Sequence, residues 1–107
     1  MRTFHMSVTE RPDRTVVTLT GELDCDTCPR VTRVTDTVSL TGRTLGLDLS
    51  GVYFMDSSSL NMLLALRLRA EAENGALELY GMQEQGRRLL QLTGAGVLFS
   101  VRPTLAV

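Results

Sequence analysis

The segment Asp56-Ser57-Ser58-Ser59 sets one carboxylate and three hydroxyls directly ahead of the run Leu60-Asn61-Met62-Leu63-Leu64-Ala65-Leu66. Short polar side chains before an apolar run mark a helix amino terminus, because each can accept a backbone N–H that the first turn leaves unpaired. That end of a helix also favours negative charge, so a phosphoryl group on one of these serines would be tolerated locally. To a docking protein the same group is an obstacle: it adds roughly −1.5 to −2 charges beside Asp56, and these must be desolvated. A phosphorylated serine here is a binding switch. The plainer alternative is that Ser57 or Ser58 serves only as the helix cap.

A second constellation is Cys25-Asp26-Thr27-Cys28-Pro29. A C-x-x-C pair at a helix start suits dithiol chemistry, since the helix dipole is expected to lower the thiol pKa there. A dithiol oxidoreductase using Cys25 and Cys28 is therefore one rival function, and redox modulation of a docking surface is a milder use of the same pair. The order of elements argues against a thioredoxin, which wants the motif after a buried parallel strand and a cis-proline loop later. One pair cannot supply the four ligands of structural zinc, so no metal is expected. His5, the single histidine, has no Ser-Asp arrangement near it in sequence and reads as an exposed strand residue.

The elements that must position these residues can be traced along the chain. Its 107 residues, 43% of them apolar, make one domain spanning 1–107, with room for a core but not for an elaborate substrate cleft. A small binding or switch module fits best, and no cofactor is expected. The 11 basic residues are all Arg and stand against 12 acidic ones, which gives no electrostatic basis for gripping nucleic acid or an anionic membrane. Met1 to Glu10 lacks a continuous apolar stretch, and no apolar segment reaches the roughly 18 residues that crossing a bilayer requires. Neither an export signal nor a membrane span is expected; the expected location is the cytoplasm, where thiols stay reduced.

Alternation at Phe4, Met6 and Val8 and again at Val17 and Leu19, with Arg11-Pro12-Asp13 between, predicts a hairpin. Val31, Val34 and Val38 have helical spacing and predict a helix from Asp26 to about Leu40, with Pro29 in its first turn. Leu45, Leu47 and Leu49 predict a third strand over Thr44–Ser50, followed by a loop from Gly51 to Asp56. The helix that begins there should stop at Asn74-Gly75. Along it, Leu64 and Leu68 fall on one side with Leu60 nearby, and Met62, Leu66 and Ala70 fall on another. Leu63 and Leu64 are expected to pack inside, whereas the side with Met62 and Leu66 fits either packing against a neighbouring helix or a surface awaiting a partner. A strand at Ala76–Tyr80, a helix from about Gln83 to Thr93 and a strand near Leu98–Val101 complete the order β-β-α-β-α-β-α-β. This is an α/β fold, a mixed sheet of about five strands with helices packed against it.

The string Leu47-Asp48-Leu49-Ser50-Gly51-Val52-Tyr53-Phe54-Met55-Asp56-Ser57-Ser58 resembles the signature of the STAS domain, particularly that of bacterial anti-sigma-factor antagonists. Gly21-Glu22-Leu23-Asp24 is similar to the family's early motif, and Arg88-Leu89-Leu90-Gln91-Leu92-Thr93-Gly94 with Leu98-Phe99 to its last helix and strand. The three blocks occur in the family's order over essentially the whole chain. The resemblance implies that the unphosphorylated protein binds an anti-sigma factor that is also a serine kinase, thereby freeing a sigma factor. It implies that phosphorylation of one serine ends the interaction and that a serine phosphatase reverses it. By position in the motif the acceptor is Ser58, with Ser57 and Ser59 as the alternatives. Asp24 and Asp56 are then expected beside it on the docking surface, together with Ser57, Ser59, Asn61 and Met62. Ser59 and Asn61 stand where the family pattern has glycine. A STAS scaffold or transporter-accessory module that is never phosphorylated is the remaining rival.

Overall fold

The computed structural model describes residues 3–103. Its elements are β1 (His5–Glu10), β2 (Arg14–Leu23), α1 (Cys28–Thr35), β3 (Thr44–Met55), α2 (Ser57–Ala72), β4 (Ala76–Tyr80), α3 (Glu84–Thr93), a 3-10 turn (Ala95–Leu98) and β5 (Ser100–Arg102). The order β-β-α-β-α-β-α-β is the expected one. The strands form one five-stranded sheet in the order β1-β2-β3-β4-β5. β1 pairs antiparallel with β2, and the remaining neighbours are parallel. The hairpin follows from Pro12 and Asp13 at the turn, and each parallel crossover carries a helix, as parallel neighbours require.

One face of the sheet and the inner faces of the helices share a single apolar core. Val17 and Leu19 of β2, Leu45, Leu47 and Leu49 of β3 and Leu77 and Leu79 of β4 meet Val31 of α1, Leu63 and Leu66 of α2 and Leu90 of α3. Burying a side chain such as Leu63 or Leu47 contributes about 1.5–3 kcal/mol, so this core is the main source of stability. On the opposite face the ring of Tyr80 lies over Gly46, where a Cβ would stand 2.6 Å from its Cε2. Glycine at 46 is what lets the ring settle against the sheet.

Several boundaries differ from expectation. β3 does not stop at Ser50 but runs on to Met55, so the predicted loop is strand. It remains paired with β2 through two register shifts, between Thr18 and Thr20 and between Gly21 and Glu22, where β3 carries an extra residue each time. Each bulge resets the phase of the pleat. Leu45, Leu47, Leu49, Val52 and Met55 consequently all reach the core, although their spacing changes from two to three. α1 ends at Thr35 rather than near Leu40, its turns poor in helix formers. Leu98 belongs to the 3-10 turn, and β5 begins at Ser100.

The largest correction concerns α2. Its buried stripe is Ser59, Met62, Leu63, Leu66 and Ala70, while Leu64 is half-buried and Leu68 is 62% exposed. Met62, expected among the partner contacts, is a core residue, and so is Leu66, for which either role was possible. α2 is apolar on both sides, so periodicity alone leaves its orientation undecided. Contact with α1 as well as with the sheet decides it.

Candidate functional site

The site forms where β3 ends and α2 begins. β4 stops at Tyr80, so the upper part of β3 lacks a strand neighbour on that side, and two glutamine side chains at the start of α3 bond its backbone instead. Gln85 Oε1 accepts the Met55 N–H at 2.7 Å and Gln85 Nε2 donates to the Met55 carbonyl at 2.7 Å, while Gln83 Nε2 donates to the Ser50 carbonyl at 2.8 Å. Gly86 allows this approach, since a Cβ there would lie 2.8 Å from the Met55 sulfur. Sequence reasoning missed both glutamines; their only signal is their place in the first turn of a predicted helix.

From this anchored strand end Asp56 caps α2. Its carboxylate accepts the N–H groups of Ser58 at 2.9 Å and Ser59 at 3.2 Å. A cap of this kind stabilises a helix by about 1 kcal/mol. With Asp56 as cap, the serines are released from that role and their positions separate. Ser57 is exposed, Ser58 is half-buried, and Ser59 is fully buried, its hydroxyl donating to the Asp56 carbonyl at 2.5 Å. Ser59 is thereby corrected: one residue farther round the helix, it points into the core and can be neither acceptor nor partner contact. Its side chain therefore adds nothing to the exposed surface at the start of α2.

Asp24 organises the facing segment. Its Oδ1 accepts the N–H groups of Asp26 at 3.0 Å and Thr27 at 3.1 Å, and Thr27 Oγ1 in turn accepts the Asp24 N–H at 2.9 Å. This reciprocal exchange works like a capping box and starts α1. At the far end of α1, Arg69 of α2 donates to the carbonyls of Thr35 at 2.6 Å and of Val38. Its Nε pairs with Glu73 Oε2 at 2.7 Å, which holds the Glu73 carboxyl below the usual range. Helix α1 is thus tied to α2 by hydrogen bonds at its carboxyl end.

Between the two helices runs an open groove of about 580 Å³ lined by Cys25, Cys28, Pro29, Thr32, Arg33, Asp36, Ser58 and Asn61. Asp24 and Asp56 lie beside a neighbouring depression that also includes Glu22, Cys25, Asp26 and Phe54. Of the expected site residues, the fold gathers Asp24, Cys25, Cys28, Asp56, Ser58 and Asn61 here, and it withdraws Ser59 and Met62. Neither Arg33 nor Phe54 was singled out in the sequence. The thiol expectation fails at Cys28. Burial, then the charges of Asp56 and Asp24, push its pKa up to about 11, the reverse of what a helix start alone would do. Cys25 is exposed and Cys28 buried, and both are free thiols. A buried thiol beside two carboxylates is a poor nucleophile, which counts against the dithiol enzyme. Among the described residues no group of side chains is arranged to hold a metal ion, and no helix is long and apolar enough to cross a membrane.

The family model described as Mlab, STAS domain, matches residues 6–101. The chain belongs to the STAS domain family. It is similar to an anti-sigma factor antagonist from Mycobacterium paratuberculosis, with 28% identity and a TM-score of 0.84 over 96% of this chain and 88% of that one. It is also similar to the anti-sigma factor antagonist SpoIIAA in its unphosphorylated form, with 24% identity and a TM-score of 0.74 over 92% and 87% of the two chains. The phosphorylated form of the Bacillus SpoIIAA shares 24% identity and gives a TM-score of 0.69 over 92% of this chain and 90% of that one. A STAS-domain containing protein of Pseudomonas aeruginosa is 34% identical over 64 residues, 60% of this chain and 63% of its own length. The match thus spans less than two thirds of that curated relative. The STAS fold here is that of the anti-sigma factor antagonists.

Proposed function

We propose that this STAS domain is an anti-sigma-factor antagonist in the cytoplasm, switched by phosphorylation of Ser58. In the unmodified state it binds an anti-sigma factor that is also a serine kinase, and a sigma factor is set free. The partner transfers the γ-phosphoryl group of its ATP to Ser58: the Oγ–P bond forms, the bond to ADP breaks, and the hydroxyl proton passes to a base of the kinase. The dianion beside Asp56 then opposes docking, and a serine phosphatase restores the first state. The antagonist itself catalyses no step.

One observation carries this reading. Asp56 caps α2, so the Ser58 hydroxyl has no hydrogen-bond partner among the described residues and sits half-buried on an open groove. Of the three serines, Ser59 is sealed and Ser57 lies off the groove. The similarity to antagonists of known structure supports the same reading. The test is labelling with a cognate kinase and ATP, followed by mass analysis. One added phosphate is expected on the wild type and none on Ser58→Ala; unchanged labelling of that variant excludes Ser58. Ser58→Asp is expected to weaken binding of the anti-sigma partner and Ser58→Ala to preserve it, with equal affinities ruling out the charge mechanism. Asp imitates the phosphate only in part, since it carries one charge and two acceptor oxygens.

A further inference from the structure

The groove that carries Ser58 also carries Arg33, from the last turn of α1. Arg33 is exposed, and it makes no ion pair with a carboxylate of the described residues, Asp36 on the same wall included. Most other described arginines are committed: Arg14 to Glu78, Arg43 to Glu10, Arg67 to Glu71, Arg69 to Glu73, Arg88 to Glu84, and Arg30 to the face of Phe4 at 5.0 Å. An uncommitted guanidinium is therefore placed on the same groove as the acceptor hydroxyl. Thr32 lies beside it on α1, and Asn61, which stands where the family pattern has glycine, offers an amide from α2.

We infer that Arg33 is the phosphate-pairing residue of the modified protein: once Ser58 carries its ester, the guanidinium closes on the phosphoryl oxygens, with Thr32 and Asn61 as hydrogen-bond donors. The inference rests on Ser58 being the acceptor. A guanidinium fits because it presents a planar fork of donors to phosphate oxygens, and each bond is charge-assisted. The pair would turn the phosphate into the groove and bridge α1 to α2. It would offset part of the repulsion from Asp56, so that the modified state is a held conformation rather than a loose charge on the surface.

The experiment installs phosphoserine at position 58 during translation, so no kinase is needed, and follows the phosphorus resonance against pH. A neighbouring cation favours the dianion. The second pKa of the wild type should therefore lie below that of Arg33→Gln, by roughly half a unit for a pair of this exposure. Arg33→Lys should restore part of the shift, and Arg88→Gln, on α3, should titrate as the wild type does. Coincident curves for the wild type and Arg33→Gln overturn the inference. Because the ester is encoded, the two claims fail separately. An Arg33-dependent titration in a protein that no cognate kinase labels removes the proposed switch and leaves the ion pair, and labelling without that dependence does the opposite.

Discussion

The groove between α1 and α2 and the cluster of Arg14, Glu78, Tyr80 and Arg102 on the sheet face away from the helices are both polar, yet they spend their polar atoms differently. Glu78 accepts from Arg14 at 2.7 Å, from Arg102 at 3.1 Å and from the Tyr80 hydroxyl. Burial alone would raise the Glu78 pKa, but the bonds from Tyr80, Arg14 and Arg102 outweigh it and hold the carboxyl below its ordinary range. In the groove, by contrast, Arg33 and the Ser58 hydroxyl have no partner among the described residues. Satisfied polar networks fix a structure, whereas groups left open in an ordered setting are available to another molecule. The first cluster is architecture, and the second has the open groups that the proposed interface would need.

Substitutions can break or sharpen that contrast. The largest effect is expected for Glu78→Ala, which strands two arginines and a buried tyrosine and should cost about 2–3 kcal/mol in a denaturant titration. A loss no greater than that of a surface change would mean the cluster is ornamental. Its acid signature has a definite sign. A carboxyl whose folded pKa is depressed stabilises the fold above its unfolded value, and the contribution disappears as pH falls through the folded one. Glu78→Gln should flatten that acid limb. At the groove end the pH dependence is reversed. Cys28, raised from 9.0 to about 11, contributes fully below pH 9 and loses its contribution between about 9 and 11. Stability of Cys28→Ala should fall less across that window than stability of the wild type. At neutral pH an alkylating reagent should modify Cys25 and spare Cys28.

Asp56→Ala should cost about 1 kcal/mol through loss of the cap. Ser59→Ala should cost about 0.5–1 kcal/mol, because its buried hydroxyl has a fixed partner. The smallest effect belongs to Ser58→Ala, expected within about 0.5 kcal/mol of the wild type. A stability loss at Ser58 equal to that at Ser59 would assign it to the architecture and erase the distinction.

Legibility in the sequence followed how local each determinant is. The hairpin, β4 and the start of α2 rest on alternation, turn residues and capping groups within a few positions of one another, and all were readable. The upper half of β3 was not, because its apolar spacing shifts from two to three at bulges that only pairing with β2 creates. Met62 was misplaced for a similar reason: which apolar side of α2 meets the core depends on where α1 lies. Ser58 came from the motif, but its separation from Ser59 comes from one side chain, Asp56, taking the cap. The resemblance pointed to Asp24 and gave no hint of Arg33, since a lone arginine in a helix acquires meaning only from the groove it lines.

The clasp that Arg69 makes on the last carbonyls of α1 lies roughly 16 Å beyond Ser58 along α2, at about 1.5 Å of rise per residue. The groove is therefore tied together at the end remote from Ser58. If that groove is the docking surface proposed above, a change at Arg69 can alter recognition without altering any atom that a partner touches.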